Sequence, residues 1–253
     1  MGDMSAQLSL GQWLVVVACA VLIGAAKTGV LGAGTLVVPV LAAVFPARES
    51  TGILLPLLCV ADILGVLFYR QHAVWGVLLR LMPCAAAGVI AGWLFLGRVD
   101  NALLRPLIGV IVLAMLGVHL VMRRTGFTVA RSNPAAALVV GLLAGFATMT
   151  ANAAGPIMTL YLLVLGLDKK TFVGTAAWYF FIVNLFKVPF SAQLGLITWQ
   201  SLSLNLVLVP AIVAGGFGGY WLVKRLPQRW FELLMHTLAA AGAAYLIAAI
   251  WLR

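Results

Sequence analysis

The sequence carries little charge, and acidic residues are its scarcest polar group. Charged residues make up 9% of the 253 residues, and only six are Asp or Glu against 16 Lys or Arg. Soluble domains carry about 25% charged residues, whereas 64% of this chain is hydrophobic. A soluble globule of this size could not bury so much apolar surface. The composition therefore predicts an all-α polytopic membrane protein that resides in a lipid bilayer.

Motifs for disulfide, metal and nucleotide chemistry are also missing. The three cysteines, Cys19, Cys59 and Cys84, lie within apolar segments at spacings that suit neither a disulfide framework nor a metal site. The sequence has no G-x-x-x-x-G-K-[ST] loop for nucleotide phosphates and no H-E-x-x-H pair among its three histidines. We therefore expect no metal and no cofactor, which argues against an enzyme.

The net charge of +10 is distributed as in a multi-pass protein. No basic run is interleaved with aromatic residues, so no nucleic-acid partner is expected. Cations at the ends of apolar segments are typical of cytoplasmic loops, which are predicted around Arg70, Arg123, Arg124, Arg131, Lys169, Lys170, Lys224, Arg225 and Arg229. The uncharged loop 191–200 is predicted outside, with Arg48, Arg98 and Arg105 as basic exceptions on that side. This pattern predicts a multi-pass protein of the inner (plasma) membrane.

Ten apolar segments follow one another along the chain. They cover residues 10–27, 31–45, 50–69, 75–96, 102–122, 135–149, 152–166, 171–190, 201–223 and 231–252. A complete span needs about 20 apolar residues, and the segments 31–45 and 152–166 are shorter than this. Each of these two follows a glycine-rich or polar break, so each indicates a broken helix.

The two halves of the chain are similar to each other. Residues 27–34 superpose on residues 148–155 at an offset of 121, and residues 87–98 on residues 214–225 at an offset of 127. The second pair shares the pattern A-G-x-x-x-G, which lets helix backbones approach closely and therefore predicts helix packing.

The repeat divides the chain into a first membrane repeat (1–122), a cytoplasmic linker (123–134) and a second membrane repeat (135–253). If each broken region is a hairpin of two segments, the chain has ten segments, and the odd number per half inverts one repeat relative to the other. If each broken segment crosses only once, there are about eight full spans and the halves run parallel. The placement of the basic residues favours inversion.

The first break, from Lys27 to Pro39, reads KTGVLGAGTLVVP. A lysine at the centre of a membrane helix costs about 3 kcal/mol on insertion scales, so Lys27 indicates a site unless it snorkels to the interface. Glycines allow the backbone to approach a ligand closely. A helix that restarts at about Gly34–Thr35 directs its N–H groups and positive dipole end into the break. The predicted anion-binding residues here are Lys27, Thr28, Gly29, Gly32, Gly34 and Thr35.

The second break, residues 148–156, contains no charge. Its hydroxyl and amide groups are neutral donors, and Pro156 suits the first turn of a restarting helix. Two helix N-termini that face each other near the membrane midplane would hold a small oxyanion. The predicted binding residues are Thr148, Thr150, Asn152 and Gly155, together with Asn184 and Trp178 from the following span. The alternative is that these polar groups only satisfy the broken backbone.

Asp62 is the acidic residue that lies well inside an apolar span. Two roles are open for it: a proton carrier coupled to transport, or a structural partner of Lys27. Its counterpart in the second half, Asn184 at an offset of 122, can form hydrogen bonds but has no charge. Lys187 lies one turn further along, and is predicted to be a vestibule cation or a lysine that snorkels to the interface.

These residues carry a resemblance to a known family. The first break contains the element G-x-G-T-x-x-x-P at Gly32–Pro39, and the second break retains only Asn152–Pro156 of it. Together with the length and the duplicated halves, this element resembles the sulfite exporter TauE/SafE family of bacterial membrane permeases. The resemblance covers nearly the whole chain. It implies transport of a sulfur oxyanion or an organosulfonate, such as sulfite or sulfoacetate.

The resulting hypothesis is a secondary transporter for a small anion, bound at the midplane between the two broken helices. Protons are the candidate coupling ion, with Asp62 as their carrier. An intramembrane enzyme and an anion channel are the alternatives.

Overall fold

The computed structural model describes residues 8–31, 33–45, 47–96 and 134–251, and these ranges contain helices and no β-strand. The α-helices are α1 (Leu10–Thr28), α2 (Val37–Val44), α3 (Ala47–Tyr69), α4 (Trp75–Leu96), α5 (Pro134–Ala151), α6 (Ala154–Val164), α7 (Lys169–Gln193), α8 (Trp199–Arg225) and α9 (Gln228–Trp251). A short 3-10 helix, Ala33–Leu36, precedes α2. The predicted all-α fold is confirmed.

Six of these helices are long and apolar enough to cross a membrane, namely α1, α3 over Gly52–Tyr69, α4, α5, α7 and α8. The apolar helix α6 has only 11 residues, which is too short for a complete span. A multi-pass membrane protein is therefore confirmed. The number of spans, eight or ten, stays a prediction, because the segment 102–122 and the linker up to residue 133 lie outside the described ranges.

Polar side chains determine where three of the long helices begin. The first N–H groups of a helix have no partner within the helix, so a side-chain oxygen before the first turn stabilises its start. Ser9 and Gln12 form a reciprocal pair of such hydrogen bonds at α1. Asp168 accepts two backbone N–H groups at α7, and Thr198 pairs with Ser201 at α8.

Both predicted breaks are present. The first lies between the end of α1 at Thr28 and the 3-10 helix that leads into α2. The second lies between α5 and α6, where Asn152 has a φ of 51°. This left-handed conformation is uncommon outside glycine, but asparagine adopts it more readily than most residues. Each half therefore contains a long helix, a break, a short helix and another long helix.

Two extensive helix pairs form the frame of the molecule, α1 on α8 and α4 on α5. Glycines permit both contacts. A Cβ atom at Gly24 of α1 would collide with the backbone carbonyl of Ile212 on α8, and one at Gly145 of α5 with that of Ala85 on α4. The broken helix of each half thus packs tightly on a helix of the other half.

The two A-G-x-x-x-G helices, α4 and α8, contribute glycines to the same contacts. Gly215 of α8 lies against the carbonyl of Val21, and Gly88 of α4 lies against that of Leu142. The predicted packing role of these small residues is confirmed. Between the two pairs, α3 and α7 pack on each other, and they are the most buried of the six candidate spans.

Replacing Gly215 with alanine should weaken the contact between α8 and α1. The added methyl carbon would overlap the Val21 carbonyl, and overpacking of this kind costs about 1–3 kcal/mol. We expect a lower Tm for the detergent-solubilised protein in a thermal ramp followed by tryptophan fluorescence. Gly218→Ala is the matched control, because a Cβ there meets nothing within 4 Å and both alanines gain the same helix propensity. Equal Tm values for the two variants would contradict the close contact.

Candidate functional site

A small pocket lies where the two breaks meet. Its free volume is about 40 Å³, and a cavity needs roughly 10–15 Å³ of such space to hold one water, so the pocket suits a few waters or one small polyatomic ion. Its polar and glycine lining comes from both halves of the chain: Lys27, Gly34, Thr148, Asn152, Gly155 and Asn184. All six are predicted site residues, and the structure brings them together.

The remaining wall of the pocket is apolar and was not predicted. It consists of Ala26, Leu31, Leu54, Leu58 and Phe180. One signal for Phe180 is present in the sequence, because it lies four residues before Asn184 and therefore on the same face of α7. An apolar wall of this kind lowers the local dielectric constant, which strengthens the electrostatic interactions of the charges beside it.

The Lys27 side chain forms a buried ion pair. Its Nζ lies 2.8 Å from Oδ1 of Asp62 and 3.9 Å from the ring centroid of Phe180, in a cation–π contact. Lys27 is 7% exposed and Asp62 is fully buried, so Lys27 does not snorkel to the interface. Of the two roles open for Asp62, the partner of Lys27 is the one that the contact supports directly.

Asn184 extends the ion pair to α7. Its Nδ2 donates to Oδ2 of Asp62 at 2.6 Å, and the side chain is buried. The carboxylate is therefore held by an ammonium from α1 and an amide from α7. Asp62 and Asn184 are the residues that the repeat pairs at an offset of 122, and here they are in direct contact.

The prediction for Lys187 was wrong. The side chain is 2% exposed and points into the protein rather than to the interface. Its Nζ donates to Oδ1 of Asn152 at 2.6 Å, to Oγ1 of Thr148 at 3.1 Å and to Oδ1 of Asn184 at 3.4 Å. The second break itself has no charge, as predicted, but α7 brings a buried ammonium to it. A signal was present in the sequence, since Lys187 lies three residues after Asn184 on one helix face.

Two predicted residues of the first break serve helix packing instead of the pocket. The Thr28 hydroxyl donates to the carbonyls of Gly216 at 2.7 Å and Gly24 at 3.1 Å, which joins α1 to α8. Gly29 lies against the carbonyl of Gly219, where a Cβ atom would collide. Neither residue lines this pocket, because their side of α1 faces α8, and the contacts support structural roles for both.

Two predicted residues of the second half also lie away from the pocket lining. The Thr150 hydroxyl donates to the carbonyl of Phe146 at 2.8 Å, within its own helix. Trp178 donates to the carbonyl of Arg70 at 3.4 Å, and its ring packs on that of Trp75. Trp178 does not line this pocket, because its side of α7 faces the loop between α3 and α4, and its predicted contact with a substrate stays a prediction.

The first restart differs from the predicted helix N-terminus. The chain resumes as a 3-10 helix over Ala33–Leu36 before α2 begins. Gly34 lines the pocket, and a Cβ atom there would only touch Ala26 at 3.6 Å. Gly32 and the Thr35 side chain lie outside the described parts of the chain, so their predicted roles stay predictions.

The second restart is an α-helix N-terminus at the pocket. The residue before it, Ala153, makes no side-chain capping hydrogen bond, so the first N–H groups of α6 lack the usual partner. Gly155 lies in this first turn and lines the pocket, and Pro156 occupies the first turn as predicted. The helix therefore directs backbone donors and its positive dipole end towards the cavity.

These features define a multi-pass membrane protein with an internal polar pocket between two broken helices. A family model described as TauE, Sulfite exporter TauE/SafE, matches residues 16–246, nearly the whole chain. The chain therefore belongs to the sulfite exporter TauE/SafE family of membrane permeases, as its resemblance indicated, and the members of this family are transporters. No curated protein and no solved structure matches the chain.

Lys27→Met should destabilise the protein, because it leaves the Asp62 carboxylate buried without its cation. Removal of one partner of a buried ion pair costs about 3–5 kcal/mol. The double variant Lys27→Met/Asp62→Asn has no such charge, so most of the lost stability should return. The measurement is the Tm of both variants in detergent beside that of the wild type. A double variant that melts as early as the single one would show that the unpaired carboxylate is not the cause.

Proposed function

We propose that the protein is a secondary transporter for a small anion in the inner (plasma) membrane. The proposed substrate is a sulfur oxyanion or an organosulfonate, such as sulfite or sulfoacetate. The family assignment supports a permease. The observation that carries the anion site is the pocket where both breaks meet, with the Lys27 ammonium in its wall.

The buried charges around the pocket favour an anion over a cation. With Lys27 and Lys187 as ammonium groups and Asp62 as the carboxylate that pairs with Lys27, the site holds two positive charges and one negative charge. The described charged groups at the site therefore leave an excess of one positive charge. A buried charge without a counter-ion is costly in an apolar surrounding, and a bound anion offsets it.

The neutral donors at the second break suit the several oxygens of an oxyanion. The first turn of α6 directs backbone N–H groups at the pocket, and the side chains of Thr148 and Asn152 line it. Lys27 approaches from the first half. An oxyanion held between them would accept hydrogen bonds from both halves of the chain.

We further propose that protons are the coupling ion, through competition for Lys27. The Asp62 carboxylate forms an ion pair with the Lys27 ammonium at 2.8 Å. An entering anion must therefore compete with Asp62 for Lys27. Protonation of Asp62 removes this competitor and raises the excess positive charge of the site. The proton and the anion then favour each other's binding, and this coupling is reciprocal.

The groups around Asp62 belong to three helices. Lys27 of α1 and Lys187 of α7 carry positive charge near it, and Asn184 of α7 donates a hydrogen bond. The Cys59 thiol lies one turn earlier on α3.

The movement that we propose is a rocking of the helix pair α1 and α8 against the helix pair α4 and α5 around the pocket. Equivalent contacts support the repeat: the pair Gly88 and Leu142 is related to the pair Gly215 and Val21 by the offsets 127 and 121 found in the sequence. Each broken helix therefore moves with a partner helix of the opposite half. The inverted orientation of the halves belongs to this proposal.

The test of transport is counterflow in proteoliposomes, with labelled sulfite, sulfoacetate, sulfate and acetate compared. We expect the wild type to exchange sulfite or sulfoacetate, and Lys27→Met to lose most of this flux, because the ammonium in the pocket wall is gone. Lys170→Met is the control, since Lys170 is exposed at the start of α7, and its flux should match that of the wild type.

The same assay separates the alternatives. A carrier shows counterflow driven by unlabelled substrate inside the vesicles, whereas a channel conducts without it. Unchanged flux in Lys27→Met would remove Lys27 from the site. Absence of flux for all four anions in the wild type would overturn the proposed substrate class.

Asp62→Asn should separate binding from coupling. The amide cannot carry the proton, so a pH gradient should no longer drive accumulation of sulfite, while exchange of sulfite remains measurable. Lys27 also loses its competing carboxylate, so the KM for sulfite should fall. The measurement is uptake with and without an imposed pH gradient, beside counterflow in the same vesicles. Full gradient-driven accumulation by Asp62→Asn would disprove the coupling role.

A further inference from the structure

Lys187 is buried beside the pocket without lining it, and its three hydrogen-bond acceptors all line the pocket. These acceptors are Oδ1 of Asn152, Oγ1 of Thr148 and Oδ1 of Asn184. An ammonium has three donors and no acceptor. The three acceptor oxygens around Lys187 therefore match the three N–H donors of the charged form of its side chain.

A group that only donates determines how its partners are oriented. Because Lys187 faces the Asn152 oxygen, the Asn152 amide NH₂ must point the other way. Because Lys187 also donates to the Thr148 oxygen, the Thr148 hydroxyl proton is left for another acceptor. Among the described residues, neither the Asn152 amide nor the Thr148 hydroxyl donates a hydrogen bond to another group. Both donors are therefore available to a ligand in the pocket.

We propose that Lys187 is the positioning residue of the anion site, and that it makes Thr148 and Asn152 donors toward the pocket. An asparagine that is free to rotate offers a donor or an acceptor and does not discriminate by charge. When Lys187 binds the Asn152 oxygen, the Asn152 side chain offers only its NH₂ donors to the pocket. The second break therefore selects for an anion that carries several hydrogen-bond acceptors. This inference rests on the proposed transport of anions. It adds a way in which the second break, which has no charge of its own, would select an anion.

The two lysines occupy different positions of the predicted repeat. Thr148 is the counterpart of Lys27 at an offset of 121, and Lys187 is the counterpart of Gly65 at an offset of 122. Gly65 lies against Lys27, since a Cβ there would be 2.9 Å from the Lys27 carbonyl oxygen. The first half thus has lysine on the broken helix and glycine on the next long helix, while the second half has threonine and lysine.

The experiment is a double-mutant cycle on Lys187→Met and Asn152→Ala with sulfite as the probe. The KM in counterflow is the first readout, and the sulfite-dependent rise in Tm of the purified protein is the second. Hydrogen bonds to charged groups correspond to about a 10- to 100-fold change in affinity, so we expect the KM of Lys187→Met to rise at least about tenfold. In the Asn152→Ala background the same substitution should have a much smaller effect, because the group that it orients is absent. Lys170→Met is the control and should leave both readouts unchanged.

A second variant guards against a failure of Lys187→Met to fold. Asn152→Asp keeps an oxygen for Lys187 and suits the left-handed backbone, but it removes the NH₂ donor. We expect a folded protein whose KM for sulfite is raised at least about tenfold. A KM that is unchanged in Asn152→Asp would overturn the donor role of Asn152.

The remaining outcomes are equally decisive. A Lys187→Met protein with a lower Tm but an unchanged KM would reduce Lys187 to a structural residue. Fully additive effects of Lys187→Met and Asn152→Ala would show that Lys187 acts through its charge alone, and would overturn the positioning role. Sulfite binding without flux in the wild type would overturn transport and leave this inference intact. If the wild type shows neither sulfite binding nor sulfite flux, the proposed transport and the proposed role of Lys187 are both overturned.

Discussion

The structure depends on the burial of two lysine side chains inside an apolar helix bundle. Hydrocarbon offers no partner for a charge, so Lys27 and Lys187 must find their partners in the protein. Lys27 meets the Asp62 carboxylate, and Lys187 meets three oxygens contributed by α5, the second break and α7. These contacts bring α1, α3, α5 and α7 together around one pocket. Removal of one partner leaves the other buried without a hydrogen bond or counter-ion. The polar site and the stability of the bundle are therefore coupled.

The glycine contacts make this arrangement possible. A broken membrane helix loses the backbone hydrogen bonds and the side-chain packing that stabilise a continuous one. Here each broken helix lies so close to a helix of the opposite half that only glycine fits, as at Gly24 and Gly145. Close backbone approach increases the van der Waals contact between helices. The two breaks are thus held in place by the close packing of α1 on α8 and of α4 on α5. The pocket lies between these two helix pairs.

Membership of the TauE/SafE family defines a membrane permease, and the pocket gives that description a physical basis. The site combines a cation shared with a carboxylate on one side and a set of oriented neutral donors on the other. In the function proposed above, the first side would link anion affinity to protonation of Asp62, and the second would link it to the hydrogen-bond pattern of the ligand. A transporter that uses both would distinguish substrates by charge and by shape at once. This division of roles follows from the unequal breaks, because the charge lies within the first break and outside the second.

The sequence by itself determined the helical fold, the positions of the breaks and the polar residues that line the pocket. Hydropathy and segment length are local properties, and they located the membrane helices and the short α6. Lys27, Asn152 and Asn184 were found because polar groups in apolar segments are costly wherever they lie. Only the tertiary structure decided which partner each polar group has. Thr28 and Trp178 turned out to face other helices or loops, while Lys187 turned inward, because the rotation of each helix is set by packing across α1, α3, α7 and α8. That packing depends on contacts between residues far apart in the chain, which no local pattern records.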